Sequence, residues 1–135
     1  MENEIKEASL GKDLRLPGRL PSHQVAKYMQ AADVLCLSSH NEGVPNVIIE
    51  AFASGLPILS TDVGGISEVL KVPEHGMLVP PGDQPAYESA LVRLLDNTPD
   101  KSPIEAYAQR FSWEKTAAQY GKILQSALAK SGFIG

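Results

Sequence analysis

Short apolar runs alternate along this chain with segments of helical spacing, and this alternation limits the fold more than any other feature. The runs cover residues 14–16, 34–37, 58–59 and 77–79. An extension of the third run to residue 61 stays open. Strands joined through helices form right-handed crossovers and lie parallel in one sheet. We therefore predict an α/β fold with a four-stranded parallel sheet and flanking helices. A chain of 135 residues is long enough for one such domain with its own core.

Residues that begin or end helices stand between these runs. Ser22, Asn46 and Asp83 are each predicted to cap a helix that follows. Gly55 is predicted to end the second helix, and a shorter helix is predicted over 66–70. The side chains expected to face the core are Val25, Tyr28, Met29 and Ala32 in the first helix and Tyr87, Ala90, Leu91 and Leu94 in the last.

The end of the chain has a different character. Residues 97–103 are polar and contain proline, which predicts a connector, and Ser112 is predicted to cap a long helix. The apolar stripe of that helix consists of Trp113, Ala117, Tyr120, Leu124 and Leu128. Such a stripe is expected to cover the edge of the sheet, and the alternative is that it reaches toward another domain.

Composition excludes some classes of partner. Twelve Lys and Arg against sixteen Asp and Glu give a net charge of −4, whereas non-specific binding of nucleic acid needs clustered cations. A single cysteine forms no internal disulfide, and no apolar run approaches the roughly 18 residues of a membrane helix. We expect a cytoplasmic protein without a nucleic-acid partner, and peripheral attachment to the inner membrane face stays open.

The sequence predicts no metal centre. It contains no Asp-x-Asp pair for a metal-bridged diphosphate. His23, His40 and His75 lack the spacing of metal ligands and are interpreted as surface or loop residues. Cys36 lies inside an apolar run and is interpreted as a core residue rather than a nucleophile.

The segment with the clearest chemistry is HNEGVPNVIIEAFASGLPILSTDVGGISE, at residues 40–68. A strand is predicted to end before it and a helix to begin at Asn46. Ligands of parallel sheets bind at the carboxyl ends of strands, where the free amides and positive dipole end of a helix attract phosphate. Pro45 has no N–H, so the predicted donors are the amides of Gly43, Val44, Asn46 and Val47.

Two carboxylates flank this predicted helix start. Glu42 lies in the loop before the helix, and Glu50 lies one turn inside it. Ionised carboxylates accept hydrogen bonds and so suit paired sugar hydroxyls. Considered alone, neither carboxylate requires a binding role. Glu42 would interact favourably with the positive end of the helix dipole, and Glu50 would be an ordinary exposed residue on a helix.

Several blocks in order resemble the donor-binding, C-terminal domain of the retaining glycosyltransferases known as group 1 or family 4. The blocks are A-A-D-V-x-x-x-x-S at 31–39, E-G-x-P-N-x-x-x-E-A at 42–51, A-x-G-L-P-I at 53–58, D-V-G-G-x-x-E at 62–68, G-x-L-V-P-P-G-D at 76–83 and F-S-W at 111–113. The resemblance implies the GT-B architecture, in which two Rossmann-like domains face a cleft. The chain would then be an incomplete second half, with a Rossmann-like parallel sheet.

The resemblance also implies roles for individual residues. Glu42 matches the catalytic glutamate beside the transferred hexose, and Glu50 matches the glutamate that binds the nucleotide ribose. Residues 43–47 match the loop whose amides hold the sugar and phosphate of the donor. Arg19 and Leu20 are weak candidates for contact with the nucleobase. The implied donor is a UDP-, GDP- or ADP-sugar used without a metal or other cofactor, and the acceptor is a glycan, a lipid or a small molecule.

The chain also departs from the family pattern. The family's domain begins with further strands and a basic pair for the diphosphate, and its N-terminal domain holds the acceptor; neither is found here. We therefore expect residues 1–11 to end a preceding helix, 12–96 to form a partial nucleotide-sugar-binding domain, and 97–135 to form C-terminal helices. The chain alone is expected to be inactive and to self-associate through its bare sheet edge.

Other functions stay open at this stage. A non-catalytic α/β interaction module would carry the two glutamates by coincidence and bind no nucleotide. A receiver-type module would need an acidic cluster, and only Asp62 stands at a suitable place. A sugar-nucleotide epimerase or a phosphorylase fits the block at 42–51 less well than a transferase does.

Overall fold

The computed structural model describes residues 13–40, 43 and 45–112. Helices and strands alternate over this part of the chain, as the apolar pattern predicts. The helices are α1 (Ser22–Ala31), α2 (Asn46–Ala53), α3 (Ile66–Val69), α4 (Gln84–Asp96) and α5 (Lys101–Ala108), followed by a 3₁₀ turn, Gln109–Phe111. The strands are β1 (Leu35–Leu37), β2 (Ile58–Thr61) and β3 (Gly76–Val79).

The described strands form one parallel sheet in the order β1-β2-β3. Leu35 of β1 lies opposite Ile58 of β2, and Ile58 lies opposite Gly76 of β3. All four residues of β2 are buried, as is typical of a central strand that is covered on both faces. The predicted fold class, a Rossmann-like parallel sheet with flanking helices, is confirmed.

The fourth predicted strand, at residues 14–16, is not formed. Leu14 and Leu16 are 43% and 51% exposed, and residues 14–16 pair with none of the described strands. An apolar run becomes a strand only where a neighbouring strand supplies hydrogen bonds and a helix covers its face.

The main core lies between the sheet and α2. Phe52 and Ile48 of α2 are fully buried, together with Ile58 of β2. Helices α1, α3 and α5 add side chains around them. The buried members of this core are Met29, Ile48, Ala51, Phe52, Leu56, Ile58, Ile66, Leu70 and Ile104.

A smaller core lies on the opposite face, under α4. Successive strand residues point to opposite faces, so Leu59 lies here although Ile58 lies in the main core. The predicted stripe of α4 is confirmed: Ala90 and Leu94 are buried, and Tyr87 and Leu91 pack beside them. The predicted cap is confirmed as well, since the Asp83 carboxylate accepts a hydrogen bond from the Ala86 amide at 2.9 Å.

The other two predicted caps are wrong by one residue. Ser22 and Asn46 are the first residues inside α1 and α2, and the cap positions are held by Pro21 and Pro45. Proline has a fixed φ that fits a helix entry, and its side chain has no acceptor for a capping hydrogen bond. The predicted end of α2 is confirmed, because Gly55 follows the helix with a φ of +64°.

Three further side-chain expectations need correction. Tyr28, expected to face the core, is 52% exposed. Cys36, expected in the core, is exposed, although its thiol lies on the α4 face and forms a hydrogen bond with Tyr87. His75 lies in the turn before β3, a loop position as expected, but it is buried rather than at the surface: it is 5% exposed, and its ring lies 4.0 Å from that of Tyr107. His23 and His40 are exposed, as expected.

Part of the predicted connector at residues 97–103 is helical. Helix α5 begins at Lys101, and Pro103 is tolerated because it lies in the first turn. Ile104 then enters the main core with no exposed surface. The stripe predicted after Ser112 lies outside the described residues, as does the helix end predicted at 1–11.

Candidate functional site

The carboxyl ends of the three strands meet at one edge of the sheet, called here the carboxyl edge. Two hydrogen bonds join these ends. The Thr61 hydroxyl at the end of β2 donates to the carbonyl oxygen of Ser39, just after β1. The Asp62 amide donates to the carbonyl oxygen of Val79 at the end of β3, at 2.8 Å. The loops that follow β1 and β2 are therefore held on a fixed frame.

Helix α2 starts at this edge without a side-chain cap. Its cap residue is Pro45, whose φ of −63° and ψ of 135° turn the chain into the helix. The first amides of a helix have no partner within it, and those of Asn46 and Val47 have no hydrogen-bond partner among the described residues. The next amide, that of Ile48, donates to the Pro45 carbonyl at 3.0 Å. The start of α2 therefore presents N–H groups and the positive end of the helix dipole.

Glu50 lies one turn beyond Asn46, on the same side of α2. Both residues are exposed, whereas Ile48 and Phe52 turn into the core with no exposed surface. Residues four apart on a helix are neighbours on its surface. The structure therefore brings the predicted ribose-binding carboxylate next to the predicted phosphate-binding amides.

The predicted loop before α2 is described only in part. Glu42 and Val44 lie outside the described residues, so the catalytic role of Glu42 and the donor role of the Val44 amide remain predictions. Gly43 is exposed, and a Cβ built on it would meet no atom within 4 Å. Packing in the described structure therefore does not require glycine at this position, which is compatible with close approach of a ligand.

The candidates for the nucleobase, Arg19 and Leu20, lie directly before α1. Arg19 is exposed, and Leu20 is partly buried beside the cap residue Pro21. Their assignment to the base remains a prediction, since it depends on the resemblance alone.

Two other helices start at this edge, α4 with a side-chain cap and α3 without one. The Asp83 carboxylate caps α4, and its charge offsets the dipole there. Helix α3 has only four residues and follows Gly65, while Gly64 takes a φ of +56°. These two glycines turn the backbone between β2 and the short helix.

A cavity of about 310 Å³ opens at the carboxyl edge on the α4 face of the sheet. Sequence reasoning missed it, although several of its residues lie just after predicted strands. They come from three strand ends, and only the folded sheet brings them together. The lining residues are Ser38, His40, Thr61, Pro80, Gly82, Asp83, Gln84, Tyr87 and Glu88.

Metal and membrane sites were searched over the described residues. No group of three or more His, Cys, Asp or Glu side chains among them is arranged to hold a metal ion. The prediction of metal-independent chemistry rests on the sequence and on the family resemblance. None of the helices in the described part of the chain has the length and apolar character needed to cross a membrane.

Comparison with protein families identifies the sequence pattern. The family described as "Glycosyl transferases group 1" matches residues 1–111 of this chain. Among characterised sequences, the D-inositol 3-phosphate glycosyltransferase of Corynebacterium urealyticum is 31% identical over 130 residues, which cover 93% of this chain and 31% of that protein.

Solved structures show the same fold. Sucrose-phosphate synthase from Thermosynechococcus elongatus superimposes with a TM-score of 0.84 at 30% identity, over 96% of this chain and 34% of that one. Anabaena HepE, solved in complex with UDP and glucose, gives a TM-score of 0.77 at 25% identity, over 93% of this chain and 35% of that one. The chain thus spans about a third of the length of these relatives.

Proposed function

The chain belongs to the group 1 glycosyltransferases, a family of GT-B fold, and on this basis we propose that it is the donor-binding part of a retaining hexosyltransferase. It would bind a nucleoside diphosphate sugar at the carboxyl edge of its sheet. The rest of the enzyme would supply the acceptor site and close the cleft. Relatives about three times as long as this chain are compatible with that division.

The observation that carries the proposal is the uncapped start of α2 beside Glu50. A diphosphate needs hydrogen-bond donors and positive potential, and the amides of Asn46 and Val47 supply both. A ribose needs an acceptor for its two hydroxyls, and the exposed Glu50 carboxylate stands one helical turn away. One helix thus offers both groups.

The proposed reaction breaks the bond between the anomeric carbon and the diphosphate oxygen and forms a bond from that carbon to a hydroxyl oxygen of the acceptor, whose proton passes to the departing diphosphate. Positive charge develops on the sugar ring while negative charge develops on the departing phosphate. The amides at the start of α2 stabilise the phosphate, and the Glu42 carboxylate stabilises the ring. Arg19 and Leu20 border the base in this scheme.

The donor class is inferred from the relatives. HepE has been solved with UDP and glucose, and sucrose-phosphate synthase is named for a sugar product. A UDP-hexose is therefore the first donor to test, ahead of GDP- and ADP-sugars. We propose the cytoplasm, where such nucleotides are made, as the place of action.

Calorimetric titration of the chain with UDP-glucose tests this site. We expect binding that Glu50→Gln weakens about tenfold or more, because a hydrogen bond to a charged group contributes about 1.5–3 kcal/mol. Asp96→Asn is the matched control, since it removes an exposed carboxylate at the far end of α4. If Glu50→Gln bound UDP-glucose as tightly as the unaltered chain, the proposed contact between Glu50 and the ribose would be wrong. If the UDP-, GDP- and ADP-sugars all failed to bind, the proposed function would be rejected.

A second test concerns Glu42. In the complete enzyme, Glu42→Gln is expected to abolish most sugar transfer while it leaves UDP affinity within a few-fold, because the amide keeps the shape of the side chain and loses its charge. Transfer at the unaltered rate would rule out the catalytic role of this residue. The chain alone is expected to bind the donor without transferring the sugar.

A further inference from the structure

The cavity on the α4 face has a buried floor and a polar rim. Thr61 is 5% exposed and forms part of the floor. Tyr87 is partly buried and fixed, because its hydroxyl donates to the Leu59 carbonyl at 3.3 Å. Most of the wall is carbon, and the polar lining residues Asp83, Gln84 and Glu88 are exposed. This construction is typical of sites for small organic ligands, which lie on an apolar wall and are oriented by a few polar groups.

The rim carries acceptors in a fixed arrangement. The Gln84 side-chain amide donates to a carboxylate oxygen of Glu88 at 2.7 Å, which holds both side chains along the first turns of α4. One Asp83 oxygen is engaged with the Ala86 amide, and each carboxylate has further lone pairs. Ser38 adds a hydroxyl and His40 an imidazole from the segment that follows β1.

The charge of the lining selects the class of ligand. Among the described residues, the lining contains the carboxylates of Asp83 and Glu88 and no Lys or Arg. A phosphate group would be repelled by these carboxylates and would find no Lys or Arg in the described lining to pair with. Hydrogen-bond acceptors beside an aromatic ring instead suit a neutral ligand that has several hydroxyl groups to donate and a C–H face to pack on the ring.

We propose that this cavity binds a neutral sugar, separately from the nucleotide at the start of α2. The hydroxyl groups of the sugar donate to Glu88 and to the free oxygen of Asp83, and its C–H face lies on the Tyr87 ring. The two sites share the carboxyl edge but lie on opposite faces of the sheet, since α2 packs on one face and α4 on the other.

The test is a titration of the full chain with methyl glucosides, galactosides and mannosides, followed by amide chemical shifts. We expect at least one of these neutral sugars to shift the amides of Thr61, Gly82 and Tyr87. Glu88→Gln keeps the acceptor for Gln84 and removes the charge, so it is expected to weaken sugar binding about three- to tenfold. Glu105→Gln, an exposed carboxylate on α5, is the control and is expected to change nothing.

Two results would overturn the proposal. One is the absence of shifts at these amides with every sugar in the tens of millimolar range. The other is a stronger response of the same amides to inorganic phosphate than to any sugar. A titration of the same variants with UDP distinguishes failure of this proposal from failure of the proposed function. Glu88→Gln should leave the affinity for UDP unchanged, and Glu50→Gln should leave the sugar-induced chemical shifts unchanged.

Discussion

The two faces of the sheet are packed to different extents. Among the described residues, the α2 face has nine buried apolar residues contributed by α1, α2, α3, α5 and their neighbours, and Phe52 contacts the rings of His75, Tyr107 and Phe111 there. In the same part of the chain, the α4 face has four buried apolar residues, an exposed Cys36 and the cavity. The α2 face therefore contributes most of the described core, whereas the α4 face contains a cavity large enough for a ligand.

This difference bears on how the proposed sites are built. The start of α2 is positioned by a helix whose inner side is fully buried, so its amides are held on a rigid element. The cavity is bordered by exposed side chains on the first turns of α4 and fixed mainly by Asp83 and Tyr87. We expect the nucleotide site to depend on core packing more strongly than the sugar site does.

The largest expected effect is the loss of the Phe52 ring. Phe52→Ala should destabilise the fold by about 3–5 kcal/mol, because it leaves a cavity among the other rings of the α2 face. Leu94→Ala on the α4 face should cost about 2–3 kcal/mol, since fewer neighbours surround it. Urea unfolding followed by circular dichroism measures both. If Leu94→Ala lost more unfolding free energy than Phe52→Ala, the α4 face rather than the α2 face would contribute more to stability.

A pair of glycines gives the next effect. Gly82→Ala at the cavity should cost about 1–2 kcal/mol, from its φ of +81° alone, because a Cβ there meets nothing within 4 Å. Gly55→Ala should cost at least about 1 kcal/mol more, since its Cβ would lie 2.8 Å from the Lys101 Cβ. Equal losses of unfolding free energy would show that α5 moves away freely and that the α2 face is looser than described.

Two tyrosine hydroxyls allow the hydrogen bonds of the two faces to be compared. The Tyr107 hydroxyl donates to the Val69 carbonyl at 2.9 Å on the α2 face. That of Tyr87 donates to the Leu59 carbonyl at a longer 3.3 Å on the α4 face, where it also hydrogen-bonds the Cys36 thiol and the Leu37 backbone. Because the Tyr107 bond is the shorter, substitution by Phe should cost about 1 kcal/mol for Tyr107 and less for Tyr87. Thermal unfolding of the two variants decides between this order and its reverse.

The smallest effect is a dependence of stability on pH. Burial holds the pKa of His75 below its ordinary value of 6.5, and its Nδ1 accepts from the Lys71 amide at 3.4 Å. Below pH 6.5 the unfolded chain takes up a proton that the folded chain resists, so stability should fall as the pH decreases through this range.

The control for the pH effect is His75→Phe, which keeps a ring beside Tyr107 and removes the titrating group. The free energy of unfolding of this variant should decrease less between pH 7 and the range below 6.5. An unchanged pH dependence would assign the effect to other groups.

The sequence predicted correctly those features that depend only on residues close together in the chain. Asp83 caps α4 because a carboxylate stands next to the first turn, and Gly55 ends α2 because it accepts a positive φ. The amides of Asn46 and Val47 and the side of Glu50 follow from the position of α2 within the alternation. The positions of these residues at the start of α2 were predictable from the sequence, and their roles in binding remain predictions.

Features decided by distant residues could not be predicted in this way. His75 is buried by Phe52 and Tyr107, which lie 23 and 32 positions away in the sequence. Residues 14–16 have the composition of a strand and no described strand to pair with. The cavity depends on three strand ends that the sequence keeps apart.

The most direct test of the central claim is a map of amide chemical shifts on addition of UDP-glucose to the full chain. The account predicts that the largest shifts fall on Gly43, Asn46 and Val47, with Ala108 on α5 unaffected. Unshifted amides at the start of α2, with a response elsewhere on the sheet, would contradict the claim that this helix holds the donor.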